Sequence, residues 1–302
     1  MRFFKTPLRY PGGKQKLAPF FSEILKANKL LGGHYVETYA GGAGAAIELL
    51  LTKKVSHIHL NDSSYPIYCL WWSIIYETDN FCKLVQSASL TVNEWRRQQN
   101  ILENSDRYSE LEVGYSAFYL NRVNRSGVLG AGLIGGIDQS GEWKMDARFS
   151  RMDLISRIEA IAYHKAQINI SKVDAEVYIK EYIPTTPART LVYFDPPYYE
   201  KSQDLYLNVY CEEDHRRLAD TIQKKIKRKW VLSYDANRNI ISYYRNRNYF
   251  LYDLQYNAAT VYKGKEIFIF SDQLKMPEFS SLDFINTPMK RLRNKMRKKR
   301  EV

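Results

Sequence analysis

An open, mostly parallel α/β sheet interrupted by a largely helical insertion is the fold class that the sequence predicts, and three observations predict it. Strand-like apolar stretches alternate with helical patterns from residue 14 to 60, and again from 154 to 270. The continuous run Leu191-Val192-Tyr193-Phe194 has the composition of a parallel strand buried on both faces. Between these regions, from about Pro66 to Arg151, the pattern changes to polar-rich helices and a glycine-dense loop.

Taken in order, Leu17, Phe20, Phe21, Ile24 and Leu25 recur at helical spacing after the opening RYPGGK segment. A short strand at Tyr35-Val36-Glu37 leads into the small-residue turn Ala40 to Gly44, and a helix follows through Ile47, Leu49, Leu50 and Leu51. Val55 to Leu60 alternates as a strand and ends at Asn61-Asp62, completing a βαβ unit. After the insertion come a helix at Leu154 to Ile161, a strand at Gln167 to Val173 and the buried run at 191–194. A helix at Glu212 to Lys227 is acidic at its start and basic at its end, as the helix dipole favours. Strands at Trp230 to Tyr234, Tyr249 to Leu254 and Glu266 to Phe270 close the pattern. The expected organisation is one α/β domain from 1–65 and 152–275, an insertion at 66–151, and a basic extension at 276–302.

The chain of 302 residues is 45% hydrophobic, enough for a packed core, which excludes disorder as its main state. Lys and Arg number 45 against 33 for Asp and Glu, and eight of the basic residues fall between Lys290 and Val302. A mildly basic body with a strongly basic end points to a polyanion, nucleic acid before membrane, with simple solvated charge as the alternative. Three widely separated cysteines exclude a disulfide scaffold and match no metal-ligand spacing. The start lacks the apolar segment of a secretory signal, and the longest apolar run, roughly Tyr65 to Tyr76, is short of the ~20 residues of a bilayer span. A cytoplasmic protein without a membrane partner is expected. His57 and His59 share a strand face without a third ligand, so no metal site is expected.

Chemistry concentrates at Asp195-Pro196-Pro197-Tyr198, directly after the buried strand, where open α/β sheets bind ligands. Two prolines stiffen the loop and remove two donors, while a carboxylate, free carbonyls and an aromatic face suit a planar amino-heterocycle. A rigid strand-ending turn is the plainer alternative. The glycine turn lets backbone approach a ligand, and Asp62 at the next strand end is placed for a ribose diol. Pro11 to Lys14 lacks the Walker spacing, and Gln15 follows the lysine, so it is not a P-loop. In the insertion, Asn121, Arg122, Asn124, Arg125 and Ser126 offer donors for phosphates and base edges, or else a self-capping turn. Arg148, within KMDARF, is a candidate backbone contact.

The segments LRYPGGK at 8–14, VETYAGGAG at 36–44, Asn61-Asp62, YLNRVNRSG at 119–127 and DPPY at 195–198 stand in an order that resembles the Dam-type group of N6-adenine DNA methyltransferases. The resemblance extends from about residue 7 to 272. It implies a Rossmann-like, S-adenosylmethionine-dependent methyltransferase sheet with a target-recognition insertion, acting on double-stranded DNA of a bacterium or phage. Carried over, it gives Tyr10 an aromatic role against the cofactor and Lys14 a polar contact to it. Asp62 takes the ribose hydroxyls, Glu37 shapes the methionine pocket, and Ala40, Gly41, Gly42 and Gly44 form its loop. Asp195 lies between cofactor and target, Pro196 and Pro197 shape the acceptor loop, and Tyr198 stacks on a flipped adenine. Where relatives place Pro and Phe this chain has Thr38 and Tyr39, and its Arg125-Ser126-Gly127 departs from the family's recognition loop, so the recognised sequence does not carry over. An RNA or other amino-group methyltransferase and a catalytically silent DNA-binding relative are the alternatives. A monomer is expected, and whether a cognate restriction endonuclease accompanies it stays open.

Within the basic extension, Lys290 to Arg300 has closely spaced cations and no aromatic for stacking, so it should add affinity without specificity. Truncation after Met289 is expected to lower DNA affinity at low salt and flatten the slope of log K against log salt. A changed methylated sequence, or lost thermal stability at a fixed slope, would contradict this.

Overall fold

The computed structural model describes residues 6–9, 14–199, 210–257 and 261–277, with side chains from 252 to 265 excepted. Tyr10, the Pro11-Gly12-Gly13 turn and the basic extension from 278 onward lie outside the described residues.

Seven strands form one sheet in the order β3-β2-β1-β4-β5-β7-β6. They are β1 (His34–Glu37), β2 (His57–Asn61), β3 (Ile168–Ser171), β4 (Thr190–Phe194), β5 (Lys229–Asp235), β6 (Asn248–Asn257) and β7 (Val261–Phe270). β3, β2, β1, β4 and β5 run parallel, while β7 is antiparallel to both β5 and β6. From β1 the chain builds outward to β2 and β3, then returns to lay β4 on the other side of β1. The carboxyl ends of β1 and β4 therefore flank the crevice where such sheets bind ligands. Every residue of β4 is buried, as its unbroken apolar run requires. β6 and β7 are longer than apolar alternation indicates, because hairpin pairing carries them through polar and glycine positions such as Lys263 and Gly264.

Helix α1 (Ala18–Ala27) starts with Pro19, whose fixed φ suits a first turn. It lays Phe20, Phe21, Ile24 and Leu25 onto the sheet. The Phe21 ring stands 4.7 Å from Tyr193 and 5.6 Å from Tyr35, and Phe20 stands 5.5 Å from Phe268. This aromatic packing covers the sheet face whose carboxyl end carries Glu37, Asp195 and Ser233. The opposite face packs Val36, Val192 and Phe194 against Ile179, Ile183 and the helix Glu212–Lys225. A further short helix, Arg238–Tyr243, escapes the sequence reading; the Asn237 side chain caps it by accepting from the Asn239 N–H at 2.7 Å.

Between β2 and β3 lie α2's successors α3 (Tyr65–Tyr76), α4 (Thr78–Gln86), α5 (Val92–Glu103), α6 (Glu110–Val123) and α7 (Arg151–Ala162), while α2 (Gly44–Leu51) joins β1 to β2. A reciprocal Ser109–Glu112 capping box starts α6. Phe118 and Tyr119 of α6 each pack their rings 5.9 Å from Phe149. These buried side chains are continuous with those of α1, α2 and the sheet, so the helices share its core. Helices α3 and α6 meet at Gly114, where a Cβ would fall 2.4 Å from both the Cys69 carbonyl oxygen and Ser73 Oγ. Gly114→Ala is expected to destabilise the protein by about 1–3 kcal/mol through overpacking. Urea unfolding measures it, and an unchanged midpoint would show that α3 and α6 have room to separate.

Candidate active site

The turn after β1 is held from several directions. The Ala40 N–H donates to the Asn61 carbonyl at 2.9 Å, and the Trp71 indole N–H donates to the Gly41 carbonyl at 2.9 Å. The Thr6 hydroxyl donates to the Gly42 carbonyl at 2.7 Å. Gly41 and Ala43 adopt φ of 44° and 45°, a left-handed conformation that glycine takes without penalty and that alanine keeps only where its surroundings enforce it. Gly44 opens α2, and all of Ala40 to Ala43 is buried.

Two carboxylates bind this turn together. Asp62 Oδ2 accepts the Gly41 N–H at 2.8 Å, and its Oδ1 accepts the Ser64 N–H at 3.0 Å. Burial raises its pKa while these two donors oppose the rise. Glu37, 4% exposed, accepts the Ala46 N–H at 3.0 Å in the first turn of α2. Burial pushes its carboxyl up to about 8, against the Ala46 hydrogen bond and with the Asp195 charge adding to the rise. Asn61 knits the ends of β1, β2 and β3, donating to the Thr38 and Val173 carbonyls and accepting from the Ser171 hydroxyl and the Val173 N–H. The hydroxyls of Thr38 and Ser64 are buried without a hydrogen-bond partner.

Asp195 follows the last residue of β4. The Ser233 hydroxyl donates to its Oδ1 at 2.6 Å, which leaves Ser233 Oγ to accept from the Tyr193 hydroxyl at 2.7 Å. The Lys14 ammonium lies 3.4 Å from the same carboxylate oxygen. Burial raises the Asp195 pKa; Lys14 opposes the rise, Glu266 reinforces it and Ser233 lowers it. Pro196 and Pro197 are buried beneath the loop. Tyr198 is also buried: its hydroxyl accepts from Lys14 at 2.9 Å and donates to Glu266. The loop exit is tied to β5, with the Tyr199 N–H donating to Asp235 Oδ1 at 2.9 Å.

The structure thus brings Lys14, Glu37, Ala40 to Gly44, Asp62 and Asp195 to Tyr198 to one end of the sheet. Sequence reasoning misses Ser233 and Glu266, which arrive on β5 and β7 with no local motif to mark them.

The expected DNA contacts are partly corrected. Asn121, 2% exposed, pairs with the Arg9 backbone, accepting its N–H at 2.8 Å and donating to its carbonyl at 2.6 Å, and also donates to the Gly127 carbonyl. Arg122 is buried and donates to the Arg148 and Pro7 carbonyls. Asn124, fully buried, accepts from the Trp95 indole N–H at 2.8 Å and donates to the Val128 and Leu129 carbonyls. Their polar groups hold the loop together and do not face a duplex. Arg125, Ser126 and Arg148 are exposed, and the Arg148 guanidinium lies 5.9 Å from the ring centre of Trp143, itself 62% exposed. At the opposite, amino end of the sheet His34 joins His57 and His59, yet no trio of ligand side chains among the described residues is arranged to hold a metal ion.

Sheet order, the antiparallel β7 and the acid-rich carboxyl ends define an open α/β sheet with a ligand crevice at its carboxyl edge. Residues 10–259 match the family described as D12 class N6 adenine-specific DNA methyltransferase. The chain belongs to that family, and DNA adenine methylation is its activity. No curated protein matches the chain. Among solved structures it is similar to a putative RNA methyltransferase PH1948 from Pyrococcus horikoshii, at 8% identity and a TM-score of 0.41, covering 90% of this chain and 89% of that one. It is also similar to the rRNA methyltransferase aviRa from Streptomyces viridochromogenes, at 10% identity and a TM-score of 0.37, covering 88% of each chain. No helix among the described residues is long and apolar enough to cross a membrane.

Between the ordinary value of 4.5 and about 8, Glu37 keeps its proton in the folded protein while the unfolded chain has lost it. Its contribution to stability is therefore complete below the ordinary value and declines as pH rises toward the folded one. Glu37→Gln removes this loss. Its melting temperature relative to wild type is expected to climb from about pH 5 to about pH 8; a gap that does not change with pH refutes the assignment.

Proposed function

We propose that the chain transfers a methyl group from S-adenosylmethionine to N6 of an adenine flipped out of double-stranded DNA, with Asp195 as the acceptor for the target amino group. The observation that carries this reading is the Asp195 carboxylate at the end of β4, oriented by Ser233 and faced by Lys14.

The residues present fit the cofactor. Each Asp62 oxygen gives one lone pair to a backbone N–H and keeps another for a ribose hydroxyl. The unpartnered Ser64 and Thr38 hydroxyls offer further polar groups beside it. Ala40 to Gly44 supply a closely approachable backbone, Glu37 lies behind that loop, and Lys14 and Tyr10 belong to the same end of the chain. Bound there, S-adenosylmethionine supplies an electrophilic methyl on a sulfonium.

Adenine N6 is a weak nucleophile because its lone pair is delocalised into the ring. Hydrogen bonds from the amino group to the Asp195 carboxylate and the Pro196 carbonyl would hold it in place and localise that lone pair. After transfer, Asp195 is the near acceptor for the proton that the methylated nitrogen sheds. Tyr198 supplies the ring against which an extruded base stacks. Arg125, Ser126 and Arg148 are the exposed residues placed for DNA contact, with 66–151 as the recognition segment, 1–65 and 152–275 as the catalytic domain and 276–302 as a cationic arm. The enzyme acts as a monomer, with a restriction endonuclease as a partner to be sought.

Asp195→Asn keeps the shape and removes the charge. It is expected to lower methyl transfer by about a hundredfold or more, the scale of losing a preorganised electrostatic group. DNA affinity by fluorescence anisotropy should stay near wild type. Turnover within a few fold of wild type would sink the reading.

A further inference from the structure

We propose that Glu266 on β7 is a positioning residue for methyl transfer, which draws the Lys14 ammonium toward itself and tethers the Tyr198 hydroxyl, leaving the Asp195 carboxylate open to the target amino group. The proposal rests on the reading of Asp195 as the amino-group acceptor.

Topology explains how a residue so late in the chain reaches the site. The parallel strands present their carboxyl ends there, and the antiparallel β7 enters past the same edge, so that a residue near its middle stands level with the end of β5. In register, Glu266 of β7 stands opposite Asp235, the last residue of β5. Its alternation with Phe268 and Phe270 turns it to the sheet face covered by α1, the face that also carries Asp195 and Ser233.

The distances rank the partners of Lys14. Its Nζ stands 3.1 Å from each Glu266 carboxylate oxygen and 3.4 Å from Asp195 Oδ1. Glu266 therefore takes the shorter hydrogen bonds, and Asp195 feels the ammonium chiefly as a nearby charge. Glu266 is 1% exposed, and an ionised carboxylate buried that far needs a cation beside it. The Tyr198 hydroxyl, donating to Glu266 and accepting from Lys14, closes a three-membered set that fixes the ring at the end of the DPPY loop. Without the Glu266 charge, Asp195 is the carboxylate beside Lys14 among the described residues. Closing on it, the ammonium would occupy the lone pairs that the amino group has to reach.

Glu266→Gln tests this in the full-length chain. Single-turnover methylation is expected to fall by about tenfold or more, as a small displacement of reacting groups does. In the free protein, the Asp195 carboxyl followed by carbon-13 NMR should titrate at lower pH than in wild type. Two causes push the same way: a neighbouring negative charge has gone, and Lys14 has moved closer. A structural role alone would not produce that titration shift in a variant with a wild-type melting curve. Glu266→Asp keeps the charge but withdraws it by one methylene, and should fall between wild type and the glutamine variant in both measurements. A glutamine variant with wild-type rate and wild-type Asp195 titration overturns the proposal. If that variant does not fold, wild-type values for both measurements in Glu266→Asp overturn it instead. Asp195→Asn separates the two levels: if it retains turnover, the acceptor reading fails; if it is inactive while Glu266→Gln behaves as wild type, only the positioning role fails.

Discussion

Four carboxylates, Glu37, Asp62, Asp195 and Glu266, are taken partly or wholly out of water at one end of the sheet, and each must be compensated where it stands. The compensation comes from five different places. Glu37 takes a backbone N–H from the start of α2, and Asp62 takes one from the glycine turn and one from the entry to α3. Asp195 takes a hydroxyl from β5, and Glu266 takes the ammonium of Lys14. The cost of desolvating these acids thus fastens a helix start, a turn, a neighbouring strand and the N-terminal segment to a single edge. The apolar packing of α1 beneath them, through Phe20 and Phe21, excludes water from the same edge.

The Lys14 and Glu37 neighbourhoods differ in what they do with charge. Lys14 has two carboxylates within 4 Å and screens their mutual repulsion. Glu37, paired with a backbone N–H, answers burial by holding its proton. A pocket that combines an acid holding its proton with acids set against a cation can place hydrogen-bond donors and acceptors side by side without changing the fold.

Much of this is legible in the sequence, and the part that is not has a physical reason. β4 is readable because a strand buried on both faces has to be continuously apolar, and the acid that follows it marks the site. The turn from Ala40 to Gly44 is readable because close backbone approach demands small residues. Glu266 is not: its partner Lys14 lies at the other end of the chain, and only the reversal of β7 brings them together. Asn121, Arg122 and Asn124 are misread for a different reason. Asparagine and arginine that bind a duplex and those that satisfy buried carbonyls are the same residue types, and burial alone tells them apart. Arg125 and Ser126, adjacent in sequence to these three, stay exposed, and Ser126 takes a left-handed conformation with φ of 57°.

The bond between Asn121 and the Arg9 backbone also bears on how such enzymes diversify. Arg9 donates back to the carbonyls of Arg122 and Asn124, and a Cβ on Gly127 would fall 2.4 Å from the Arg9 carbonyl oxygen. The loop that begins at Asn121 is thereby fitted to a piece of chain more than a hundred residues earlier. A recombination event that imports a foreign insertion while keeping the resident N-terminus separates the two halves of this fit. Viable chimaeras should carry the residues around Arg9 along with the insertion, so the unit that folds together is discontinuous in the gene.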